Sequence, residues 1–163
     1  LELTYATLVS WNMNMRGAKL VAFDKFMSSI TALKDNIFEL SNYKIADLDG
    51  NLLEIVLNKL EPIFKNIDVM QSRSKIVGVS KTLHFLLPHL VVPMDRTYTR
   101  VIYETAIDQE FNTFRKLFSQ FRDVAIYLGL SDRDVNGICW NTSVPKLIDN
   151  AIIGYQIATK NHK

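Results

Sequence analysis

The stretch VGVSKTLHFLLPHLVVPMDRTYTR, Val77 to Arg100, decides how this chain is read. It is mostly apolar, yet it carries Ser80, Lys81, His84, His89, Asp95, Arg96 and Arg100, and Pro88 and Pro93 cut it. Residues 74–87 contain no proline, so the pattern predicts a helix ending before Pro88, because a residue that precedes proline is pushed out of the α region. On such a helix Ser80 and His84 are four apart and Lys81 and His84 three apart, so all three project from one side. Val79, Leu83, Phe85, Leu86 and Leu87 cover much of the rest, which makes the helix mostly buried. A lysine on a mostly buried helix must reach water, pair with a carboxylate or lose its proton. The nearest downstream carboxylate is Asp95. HLVVP, β-branched and ending in proline, reads as a short extended return. PMDRTYTRVIYETA reads as a loop and a new helix with Asp95 near its N-cap, and Arg96, Arg100 and Tyr103 share a face of that helix.

The same 3.6-residue spacing recurs on both sides. In 18–33, Leu20, Phe23, Phe26, Met27 and Ile30 predict one helical face. NLLEIVLNKL repeats the pattern through Leu52, Ile55, Val56 and Leu60, with Asp49 or Asn51 as its cap and Pro62 as its expected end. In 107–128, Phe111, Phe114, Phe118, Phe121 and Ala125 form a stripe that reads as core, and Gly129 fits a helix stop. Ser143 and Pro145 mark a start that Leu147, Ile148, Ala151, Ile152 and Tyr155 continue. No segment alternates as a strand bounded by hairpin turns. The expected fold is all-α: one compact domain over residues 1–163 with six to eight helices, and no repeat or linker.

A chain of 163 residues with 48% apolar and 22% charged residues is an ordinary globular composition. The single cysteine, Cys139, excludes an internal disulfide and a cysteine-rich zinc site, and no metal or other cofactor is expected. No uncharged run approaches the ~20 apolar residues of a membrane span, and no signal peptide is visible, so the expectation is a soluble cytoplasmic protein. The first residue is Leu1 rather than Met. The net charge of +2 is segregated: 10–34 and 72–103 are basic, and 35–71 and 104–134 are acidic. Basic blocks of this kind make patches that attract phosphates, or they are solvated helix backs. Trp11 and Trp140, each followed by Asn, either support loops or offer stacking platforms for a base. Arg16, beside Gly17 at what reads as a helix start, is a candidate anion contact.

Two readings of the central stretch follow. In one, Asp95 caps a helix, His84 bonds a backbone carbonyl and Lys81 extends to water. In the other, Lys81, His84 and Asp95 line one cleft as catalytic candidates, and Arg96 and Arg100 hold an anionic ligand.

SKTLHFLLPHLVVPMDR resembles a motif of uncharacterised bacterial and archaeal proteins, Ser-Lys-x-Leu-His-Phe-Leu-x-Pro followed by Pro-x-Asp, with weaker echoes in WNMNMRGAKL and VPKLIDN. More distantly, VGVSKTLHFLLPHLVVPMDRTYTRV is similar to the core of the helix-hairpin-helix DNA glycosylases. That resemblance implies a hairpin at Gly78 and Ser80 that binds a DNA phosphate, a flipped base stacked on Trp11 or Trp140, Asp95 as catalytic aspartate and Lys81 as amine nucleophile. Ser80 stands where the family has a second hairpin glycine, Val77 where it has proline, and no iron–sulfur cysteines are present. The expected function is therefore nucleic-acid binding with glycosylase/lyase-like ancestry; the alternative is a non-enzymatic helical binding or architectural module.

Overall fold

Apolar side chains every third or fourth residue must be buried on one side, and helices packed on helices accomplish this. The structure, a computed structural model, describes residues 1–11, 19–72, 75–103, 111–138 and 140–160, with the backbone alone at 100–103 and 160. Among them are eight α-helices: α1 (Glu2–Ser10), α2 (Phe23–Ala32), α3 (Lys34–Leu40), α4 (Gly50–Asn66), α5 (Lys75–Leu86), α6 (Arg96–Tyr103), α7 (Phe111–Tyr127) and α8 (Val144–Lys160). Short 3₁₀ turns lie at Ile45–Asp47 and Asp132–Asp134. The described residues hold no strand, only one antiparallel bridge between Leu20 and Met70. The all-α expectation holds.

Helix ends follow the sequence signals. Asp49 caps α4, its Oδ1 accepting the Leu52 N–H at 2.8 Å. Gly129, with φ +62°, closes α7: its N–H donates to the Ile126 carbonyl and the Leu130 N–H to that of Ala125, a Schellman pair. Ser143 caps α8, accepting the Lys146 N–H. The phenylalanine stripe of α7 is core, with Phe114, Phe118 and Phe121 fully buried. Phe114 lies 5.1 Å from Phe64 of α4 and 5.7 Å from Phe111, ring centre to ring centre. Around α7, α4 packs on one side and α8 on another, while α1 packs against α5 and α6 against α8.

Two expectations are corrected. Pro62 does not end α4, which runs on to Asn66. Proline removes one backbone bond, but the ring faces solvent while Ile63 and Phe64 just beyond it are buried, and that burial carries the helix through. The predicted 18–33 helix begins only at Phe23. Residues 19–21 bond instead to the segment before α5: the Gln71 N–H donates to the Lys19 carbonyl at 2.7 Å and the Val21 N–H to that of Val69 at 3.0 Å. Leu20 and Val21 are buried there.

Phe114→Ala empties the point where α4 and α7 meet. A loss of about 3–5 kcal/mol is expected, to be read as a lowered midpoint at unchanged slope in urea denaturation.

Candidate functional site

Helix α5 spans Lys75–Leu86 and is buried at Ile76, Gly78, Val79, Ser80, Thr82, Leu83 and His84. After it the chain turns at Pro88 and returns through Val91, Val92 and Met94, all fully buried. This return is not helical, so its buried backbone groups need partners from elsewhere. Two side chains of α5 supply them. Ser80 Oγ accepts the Met94 N–H at 3.0 Å, and the His84 Nδ1–H donates to the Val91 carbonyl at 2.8 Å.

This pairing brings Lys81 opposite Asp95, with Nζ 3.7 Å from Oδ2. The Lys81 side chain is only 14% exposed and that of Asp95 35%. Asp95 is also the cap of α6: Oδ1 accepts the Thr97 N–H at 2.8 Å, and the Asp95 N–H donates to Thr99 Oγ1. One carboxylate oxygen thus holds the helix and the other faces the lysine.

The pair opens into a cleft of about 320 Å³, at the lower end of the roughly 300–1,000 Å³ usual for small-molecule sites. Trp11 lines it; its ring lies 5.1 Å from Lys81 Nζ and 5.1 Å from the Phe85 ring centre. Pro93, Tyr98 and Trp140 line it as well. The start of α8 adds Lys146 and Asp149, which pair with each other, their side chains 15% and 12% exposed. Asn150, also on the cleft, donates to Asn141 Oδ1 at 2.9 Å. The cleft therefore holds two lysines, each already facing one aspartate.

Of the catalytic candidates, Lys81 and Asp95 meet in the cleft, and His84 does not line it. That assignment is corrected: His84 is 6% exposed and bound to the return. Burial is the largest influence on its imidazole and lowers its pKa; the Val91 carbonyl opposes this, and Lys146, Asp149 and His89 contribute smaller effects of both signs. Trp11 and Trp140 both line the cleft, and Arg96 is exposed at the start of α6. Gly78 and Ser80 are corrected as nucleic-acid contacts. Both lie buried inside continuous α5, not in a hairpin. A Cβ on Gly78 would sit 2.7 Å from Met70 Cγ and 3.2 Å from Val69 Cγ1, so the glycine serves close packing. Arg16 and the Arg100 side chain lie outside the described residues.

Sequence reasoning missed Lys146 and Asp149. The signal was present: charges three apart on an otherwise apolar helix, the same pattern that drew attention to α5. Among the described residues no group of three or more His, Cys, Asp or Glu side chains could hold a metal, and no helix is long and apolar enough to cross a membrane. No protein-family model, curated protein or solved structure matches this chain.

A histidine whose folded pKa lies below its unfolded value of about 6.5 favours folding fully only above that value. As pH falls from about 6.5 toward the folded pKa, the unfolded state takes up the proton first and stability declines. His84→Gln should flatten the loss of unfolding free energy between pH 7.5 and pH 5 in urea titrations; an unchanged slope would contradict the buried neutral imidazole.

Proposed function

We propose that the cleft is a nucleic-acid site in which Lys81 and Asp95 act on the sugar of an unpaired nucleotide. The single observation behind this is the approach of Lys81 Nζ to Asp95 Oδ2, 3.7 Å apart in a cleft with an aromatic wall. Amine addition needs a neutral lysine and a nearby proton acceptor. Asp95 Oδ2 is positioned for the second role, and the low exposure of the lysine limits competition from water. At an abasic site Lys81 Nζ adds to the C1′ aldehyde, water leaves, and an imine joins protein and sugar. Exposed Arg96, on the helix that Asp95 caps, is the phosphate contact of this scheme.

A non-enzymatic binding module is the second reading. It draws on a specific feature: Asp95 Oδ1 is committed to the α6 cap, and each lysine in the cleft already faces a carboxylate.

Borohydride trapping on oligonucleotides with abasic sites separates the two. The expected outcome is a covalent adduct that Lys81→Gln abolishes and that Asp95→Asn slows by about 10²–10⁴-fold, with oligonucleotide binding retained in the Asn variant. Binding that weakens with salt, by about 0.7–0.9 log units per decade for each phosphate contacted, without any adduct, supports the module. An adduct that survives Lys81→Gln refutes the assignment.

A further inference from the structure

Trp140 has φ +70°. That region suits glycine and is strained for a bulky side chain. Gly137, three residues earlier in the same loop, has φ +67° and meets the requirement without a side chain. The loop is held tightly around Trp140: the Gly137 N–H donates to the Asn141 carbonyl, the Asn141 N–H to that of Ile138 and the Thr142 N–H to that of Trp140. Burial does not compensate the strain, because Trp140 is 75% exposed. What the conformation achieves is placement, since the indole lines the cleft beside Lys146 and Asn150. Trp11, also on the cleft, is differently engaged, with Lys81 over its ring and Phe85 against it. Trp140 is the more open aromatic surface of the two tryptophans.

The charges of the cleft narrow what would lie on that surface. Lys81 faces Asp95 and Lys146 pairs with Asp149, so the four groups sum to zero. An incoming dianion gains no net attraction from this set, because it meets the Asp95 and Asp149 carboxylates as well as the two lysines. An uncharged ring with N–H donors and ring-nitrogen acceptors on its edge meets partners of both kinds.

We infer that Trp140 is the stacking plate of the cleft and that its ligand is an uncharged planar heterocycle of the nucleobase class. The inference rests on the nucleic-acid reading above and specifies which part of the nucleotide enters. The phosphates stay outside, the sugar reaches Lys81 and Asp95, and the base lies against the indole.

The two tryptophans of the chain both line this cleft, so fluorescence excited beyond the tyrosine absorption band reports on it. The experiment titrates the Trp11→Phe protein, in which Trp140 is the remaining fluorophore, with adenosine and with adenosine 5′-monophosphate. Saturable quenching is expected, with adenosine binding at least as tightly as the monophosphate. Trp140→Gly, assayed in the wild-type background through Trp11 fluorescence, should raise the adenosine Kd by about 10-fold or more while the melting temperature stays level or rises. Trp140→Phe should keep binding within a few-fold. A purely structural tryptophan would give the opposite: a lower melting temperature with unchanged affinity. Absence of quenching, or a monophosphate preferred by 10-fold or more, overturns the inference. Nucleoside binding without a borohydride adduct sinks the lysine chemistry and leaves the stacking site standing; an adduct without nucleoside binding does the reverse.

Discussion

The candidate site depends on a buried stretch of backbone that has no secondary structure of its own. Residues 91–94 run through the interior with neither helix nor sheet to satisfy them. An unmet buried donor or acceptor costs about 1–3 kcal/mol. Ser80 and His84 are the answer to that cost. Their spacing of one helical turn matches the spacing of the groups they bind, and the match fixes how the return lies against α5. Once Val91 and Met94 are held, Asp95 has one place to go. It caps α6 with one oxygen and meets Lys81 with the other.

This bears on what the sequence could tell. The polar residues of an apolar helix stood out from the start, and the choice between structure and chemistry was drawn as one choice for all of them. The fold divides them instead. Ser80 and His84 serve the backbone, and Lys81 and Asp95 face the cleft. Spacing shows that side chains share a side of a helix; it does not say which of them meets a carbonyl and which meets solvent. Gly78 was likewise ambiguous, since a glycine suits both a hairpin and a tight helix contact, and only Met70, from a segment whose approach the local pattern does not encode, distinguishes the two. Pro62 misled for a related reason. A local rule predicted an end, and the burial of Ile63 and Phe64 against the rest of the core overrode it.

The helices with regular apolar stripes were legible because periodicity is a local property: α4, α7 and α8 follow from it, and α5 follows from the proline-free run before Pro88. The Lys146–Asp149 pair of the cleft was not. Lys146 and Asp149 became part of a site only through the packing of α8 against α6, some fifty residues away in sequence. The neutrality of the cleft is likewise a tertiary fact. Two basic blocks suggested a positive surface, yet both lysines that reach this cleft are matched by aspartates.

The parts of the cleft differ in how far along the chain they must be gathered. Lys81 and Asp95 are 14 residues apart, joined by a turn and a return that α5 itself holds. Trp11 and the α8 residues come to the cleft from much more distant positions. Closing a short loop costs less entropy than gathering remote segments, and locally connected units open and close together. The amine–carboxylate pair therefore belongs to one short, locally connected piece of chain, whereas the α8 residues join it through tertiary packing. A loosening of α8 would open the Lys146–Asp149 side of the cleft and release the Gln156 side chain from the Tyr98 carbonyl, so access to Lys81 and the seating of α6 both depend on that one helix.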